Sequence, residues 1–166
     1  MKTNNYLLNA LTAMEAEAKG ATMGIQVDGD NITESSVSTI AIVEDSSDAH
    51  GLNVIIPPYH NILASTTAQR ACDVLPYMGV QIVGGNGQLQ PVSLKVKRRP
   101  ITIKELFRAR EVISLGGHHV KPIGSVDGKV IGTGEDFTVY TALSAALKRE
   151  MSENQSLLDD VPFHLY

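Results

Sequence analysis

The sequence holds a single cysteine, Cys72, among 166 residues. One thiol cannot close a disulfide within the chain, so the fold does not depend on cross-links and suits a reducing compartment. There is no excess of positive charge either. The formal net charge is -4, which leaves no global field to draw in nucleic acid or anionic lipid. No apolar run approaches the length of a membrane span. No trio of ligating residues has a metal-site spacing, because His118 and His119 are adjacent and would face opposite ways on a strand. The paired glycines of GTGE do not complete a dinucleotide fingerprint. Repeats and internal linkers are absent. The first residues show neither a signal peptide's apolar stretch nor a transit peptide's acid-poor composition. The expected setting is the cytoplasm or an organellar stroma or matrix. A helix that begins so close to Met1 gives the further expectation of chain upstream.

What is present is a globular composition, 43% hydrophobic and 19% charged, with one domain over 1–166 as the expectation and residues 152–166 as a tail. Leu7, Leu11, Met14 and Ala18 recur at spacings of four, three and four, which predicts a helix with one apolar face. Asn4 or Asn5 would cap it and Gly20 would end it. Strand patterns follow around Met23–Val27, over Thr39–Val43 and over Leu52–Ile56, the first closed by the turn Asp28-Gly29-Asp30-Asn31. A helix capped by Ser65 or Thr66 is expected to stop at Gly79. Beyond it lie a strand over Val80–Val83, the turn GGNG, the strand SLKVKRR, the short helix IKELF and the strand EVIS. Asp127-Gly128 between β-branched runs is the strongest hairpin signal. A last helix over 136–151 places Val139, Ala142, Leu143, Ala146 and Leu147 on one face. Strands and helices alternate without segregation, so the class is α/β or α+β.

Four stretches could carry chemistry. Lys2 in KTNNY could form a Schiff base if its ammonium loses a proton; read alone it is an ordinary surface lysine. Glu34 in ITESS is either a solvated turn residue or an acceptor for a cationic ring nitrogen. Small hydroxyl residues in LASTTAQ open a helix, where free N–H groups either bind phosphate or are simply capped. The Gly-Gly of LGGHH allows a ligand to approach the backbone closely.

Each signal is weak alone, but their order is informative. The series K-x-x-N-Y-L, then T-E-S, then PP…IL…TT, then EV…PI…DG-x-x-I-G resembles the class IV family of pyridoxal-phosphate aminotransferases, from Lys2 to about Gly134. That family includes branched-chain and D-amino-acid aminotransferases and aminodeoxychorismate lyase. The resemblance implies the family's large cofactor-binding domain, a mixed sheet or pseudo-barrel with flanking helices, preceded in relatives by another domain that supplies an arginine to the phosphate. It implies pyridoxal 5'-phosphate as cofactor, an α-amino acid and a 2-oxo acid as partners, and a homodimer. By the same resemblance, Lys2 binds the cofactor aldehyde and moves the α-proton. Tyr6 hydrogen-bonds the phenolic oxygen, Glu34 faces the pyridine nitrogen, and Leu63 packs on the ring. Thr66, Thr67 and Gly116 hold the phosphate, and Gly117 lies near the substrate carboxylate. The sequence departs from the pattern at Ser35, where glycine is usual, at Thr39, where asparagine is usual, at Ser65, where the phosphate loop usually has glycine, and at Gly116, where threonine or serine is usual. Lyase chemistry and a non-catalytic interaction module stay open as alternatives.

Overall fold

The computed structural model describes residues 6–48, 51–60, 62–83, 87–117 and 119–157. Lys2, the caps expected at Asn4 and Asn5, His118, most of the GGNG turn and the end of the tail lie outside the described residues.

The chain runs through α1 (Leu7–Ala18), β1 (Ile25–Asp28), β2 (Asn31–Ser35), β3 (Thr39–Asp45) and β4 (Gly51–Ile56). It continues through α2 (Thr66–Val74), β5 (Val80–Val83), β6 (Leu89–Arg98), β7 (Ile101–Thr102) and α3 (Ile103–Arg108). Next come β8 (Glu111–Gly116), β9 (His119–Ile123), the small hairpin β10 (Ser125–Val126) and β11 (Lys129–Val130), and α4 (Thr138–Glu153). The main sheet has the order β9-β8-β3-β4-β6-β5, with β2 joining β3 at one end and carrying β1 and β7. Among the described strands, only β4 and β6 pair in parallel, joined by a crossover that includes α2. The result is the mixed sheet with flanking helices that the resemblance implied.

The central strands are mostly apolar because they are buried on both faces, with Asn53 and Ser114 as buried polar exceptions. Ala41, Val43, Val54, Ile56, Ile113 and Leu115 face a core shared with α2 and α4. Ile40, Ile42, Ile55 and Val112 face a second core closed by Leu106 of α3 and by Ile32 and Ile101. In α4, Val139, Leu143 and Leu147 are buried, as their spacing predicted.

Several expectations need correction. The apolar face of α1 does not pack: Leu7, Leu11 and Met14 are all more than half exposed, and Ala16 is the helix's buried residue. The position before α1 is Tyr6, with no side-chain cap. Gly20 does take the left-handed conformation, φ +70°. Gly79 does not end α2. The helix passes at Leu75 into a single 3-10 turn containing Pro76, because proline has no N–H to continue the ladder. Glu34 lies inside β2 rather than in a loop between strands. The hairpin at Asp127-Gly128 forms with both residues at positive φ, but its strands are two residues long and stand apart from the main sheet.

Candidate active site

Of the sequence positions singled out above, Tyr6, Glu34, Leu63, Thr67, Gly116 and Gly117 are linked at one end of the sheet, where β2, the start of α2 and the end of β8 meet, while Lys2 lies outside the described residues. Three long-range hydrogen bonds make the junctions. The Glu34 Oε2 atom accepts from the Leu63 N–H at 3.0 Å. The Thr67 hydroxyl donates to the Gly117 carbonyl. The Tyr6 hydroxyl donates to the Ser36 carbonyl at 3.1 Å, beside Asn9 Nδ2 on the same oxygen at 2.9 Å.

The turn that holds Glu34 is built from serine. Glu34 and Thr39 are paired, and the Ser35 N–H reaches the Ser38 carbonyl at 2.7 Å, so Ser36-Val37 is a two-residue loop. Loops of this length usually need positive φ. Neither Ser36 nor Val37 has it. The Ser35 hydroxyl closes the turn instead, accepting the N–H groups of Val37 at 3.2 Å and Ser38 at 2.8 Å. A glycine at 35 could not do this, which gives the departure at that position a physical reason.

At the start of α2, Ser65 is the cap and Thr66 is not. The Ser65 hydroxyl accepts from Ala68 N at 3.1 Å and the Ser65 carbonyl from Gln69 N at 2.9 Å. The N–H groups of Thr66 and Thr67 come before the first helical bond and face outward with the helix dipole behind them. Gly117, at φ +57°, begins the β8–β9 turn and brings its carbonyl to Thr67.

Gly116 is held by close approach. A Cβ built there would sit 2.5 Å from the Ser38 Cβ and 2.8 Å from the Val37 carbonyl oxygen. Threonine or serine is excluded by the same contact, so Gly116 offers only its backbone. Gly116→Ala should therefore cost about 1–3 kcal/mol, the usual range for overpacking. Urea unfolding checks this, and an unchanged midpoint would mean that the 36–38 turn yields freely.

The sequence did not disclose Asn9, Ser38 and Ser114 at this junction, nor the role of Glu111 at the opposite end of β8. Ser38 and Ser114 are 76 residues apart and bond through their hydroxyls at 2.6 Å. Glu111 is 4% exposed, and its carboxylate accepts the first N–H groups of α4, Val139 at 2.7 Å and Tyr140 at 2.9 Å. Burial pushes the Glu111 carboxyl up. The two N–H groups oppose that shift, Asp136 adds to it, and Arg110 works against it.

The residues fit a phosphorylated pyridine. The second oxygen of Glu34 makes no hydrogen bond among the described residues. Leu63, 41% exposed, offers apolar surface beside it. The open N–H groups of Thr66 and Thr67 suit a phosphate. The Glu34 carboxylate and the N-terminus of α2 thus share one rim of the mixed sheet.

Comparison with known proteins gives the family and the fold. The family model described as amino-transferase class IV matches residues 1–126. The chain belongs to the class IV aminotransferase family. It is 31% identical over 153 residues to the chloroplastic D-amino-acid transaminase of Arabidopsis thaliana, covering 91% of this chain and 38% of that one. Among solved structures it is similar to a T.th. branched-chain amino acid aminotransferase complexed with N-(5'-phosphopyridoxyl)-L-glutamate. The TM-score is 0.72 at 22% identity, over 89% of this chain and 44% of that one. The branched-chain amino acid aminotransferase of Escherichia coli gives a TM-score of 0.71 at 23% identity, over 87% and 43%. The chain thus spans less than half the length of these relatives. Among the described residues, no helix is long and apolar enough to cross a membrane.

Proposed function

We propose that the chain is the cofactor-binding part of a pyridoxal-phosphate-dependent transaminase. The reaction moves an amino group between an α-amino acid, branched-chain or D-configured, and a 2-oxo acid, in a homodimer. The observation that carries this reading is the rim on which the open carboxylate of Glu34, Leu63, the N-terminus of α2 and the Gly116–Gly117 backbone converge.

When bound, pyridoxal phosphate supplies an electron sink for charge left at the α-carbon of the amino acid. The protein's part is to hold and to bias. Thr66 and Thr67 give two N–H groups at the positive end of α2 to the phosphate. Gly116 adds backbone alone. Glu34 sets a negative charge against the ring nitrogen, which favours its protonated form. Its bond to the Leu63 N–H fixes the carboxylate beside an exposed apolar side chain that would pack against the ring. Tyr6 keeps its hydroxyl near the ring by donating to Ser36, leaving its lone pairs open to a ligand. Lys2 is assigned by resemblance: its amine, once neutral, would hold the cofactor through its aldehyde carbon and would carry the α-proton.

Titration of the chain with pyridoxal phosphate, followed by borohydride reduction and peptide mass mapping, tests the proposal. The expected result is a visible absorbance band and a reduced adduct on Lys2, both lost in Lys2→Ala. An adduct that persists in the variant moves the anchor to another lysine. No binding at all favours the second reading, a non-catalytic interaction module, which the exposed apolar face of α1 supports.

A further inference from the structure

Beneath the rim, three serine hydroxyls run in line from the β2–β3 turn into the sheet. Ser35 Oγ lies 2.7 Å from Ser38 Oγ, and Ser38 Oγ lies 2.6 Å from Ser114 Oγ. The Met23 sulfur caps the line, 3.5 Å from Ser38 Oγ and 3.8 Å from Ser114 Oγ. Ser35 and Ser114 are 1% and 5% exposed.

Counting fixes the first proton in this line. A hydroxyl has one proton and two acceptor sites. Ser35 Oγ already accepts two backbone N–H groups, from Val37 and Ser38. Both lone pairs are used, so Ser35 must donate to Ser38. Ser38 keeps one acceptor site and its own proton, so the Ser38–Ser114 bond is satisfied in either direction, and the hydroxyl that does not donate across it has the Met23 sulfur within reach.

The two ends of this chain adjoin the two halves of the site. Ser35 follows Glu34, and Ser36, between Ser35 and Ser38, carries the carbonyl that Tyr6 and Asn9 share. Ser114 precedes Gly116 by two residues, and Gly117 carries the Thr67 contact. A shift of Ser38 relative to Ser114 would move the carboxylate relative to the phosphate-binding backbone. Gly116 already allows no slack there, given the 2.5 Å to the Ser38 Cβ that a side chain would meet.

We propose that the hydroxyl chain Ser35–Ser38–Ser114, capped by Met23, is a positioning device that fixes the Glu34 carboxylate relative to the Gly116–Gly117 backbone. This rests on the assignment of Glu34 to the ring nitrogen. The device matters most here because the turn has no positive-φ residue to close it by backbone alone. Ser38 and Ser114 are positioning residues and touch neither cofactor nor substrate.

The test compares wild type with Ser38→Ala, Ser114→Ala and the double variant, using amide hydrogen exchange on the cofactor-free chain and pyridoxal phosphate titration. Exchange at the Leu63 N–H, which reports the Glu34 bond, is expected to quicken about five- to tenfold in each single variant, the size of one lost hydrogen bond. Val54 and Ile55 in the sheet core should keep their protection. The double variant should be no worse than the worse single variant, since either change breaks the same line. Ser38→Cys, which keeps a weak donor of similar shape, should recover part of the protection. Loss of stability with no selective change at Leu63, or additive effects of the two substitutions, would overturn the proposal. If wild type binds no pyridoxal phosphate, the functional assignment fails, while the exchange pattern still decides whether the hydroxyl chain sets the position of Glu34.

Discussion

Glu34→Gln should lower transaminase turnover roughly 30- to 1,000-fold while changing pyridoxal phosphate affinity little. Opposite unit charges near 4 Å interact by about 4 kcal/mol at the effective dielectric of a protein surface. The part of that interaction felt only as charge builds in the transition state sets the loss, at about 1.4 kcal/mol per tenfold. Geometry isolates this effect well. A glutamine carbonyl can still accept the Leu63 N–H, so the side chain keeps its place and loses only its charge. Glu34→Ala removes both. It should equal Glu34→Gln in turnover and, in addition, leave the Leu63 N–H exchanging faster by the worth of one hydrogen bond, about 1 kcal/mol. Turnover would be measured with branched-chain and D-amino acids against 2-oxoglutarate in a preparation where wild type is active. Equal turnover in wild type and Glu34→Gln would remove the carboxylate from the mechanism.

How much of this could be read beforehand depends on where each residue's constraint lies. The strands at Thr39–Val43 and Leu52–Ile56 were legible because burial on both faces leaves Thr39 and Asn53 as the polar residues among them. The α4 helix was legible because one face is buried and the other is not. The same periodicity in α1 identified the helix but not what its face meets, since a spacing records amphipathicity and says nothing of the neighbour. Strand β9 was missed. Its HVKPI has no clean alternation, and Pro122 argues against a central strand. It pairs with β8 alone, and an edge position tolerates proline. At the site, Glu34, Leu63, Thr66, Thr67, Gly116 and Gly117 entered through resemblance, and the fold sets them on one rim. Lys2 lies outside the described residues, so its assignment rests on the KTNNY motif. Ser38 and Ser114 had no local signature, because a hydroxyl pair formed across 76 residues exists only once β3 and β8 are paired. The departures were more informative than they looked. Ser35 and Gly116 both differ from the family habit, and both are explained by one crowded corner: Ser35 closes the turn, and Gly116 leaves room for Ser38.

Glu111→Ala should be the most destabilising single change among the buried polar residues. The carboxylate comes from β8, yet it caps α4, holding the N–H groups of Val139 and Tyr140. No residue beside the helix start replaces it, since Phe137 at that position makes no side-chain cap. Val139 is fully buried. Its N–H would lose its partner without gaining water, so the loss of the two bonds and of the cap should cost about 2–4 kcal/mol. For a chain of this size that is a fall in Tm of about 4–16 °C. The pH dependence gives a second, independent readout. Because burial raises the Glu111 carboxyl above its unfolded value, the folded state holds that proton more tightly than the unfolded state does. Between the unfolded value and the raised folded one, the folded state therefore binds more protons, and stability falls as pH rises through that window. Alanine has no such proton. The gap between wild type and Glu111→Ala should be widest below the unfolded carboxyl value, should narrow as pH rises from there through the raised folded value, and should then stay constant, remaining in favour of wild type at neutrality because both N–H bonds persist to the charged form. Urea unfolding of both proteins across that range measures the gap. A gap that widens with rising pH would mean that the two N–H groups and Arg110 outweigh burial and hold the carboxyl low.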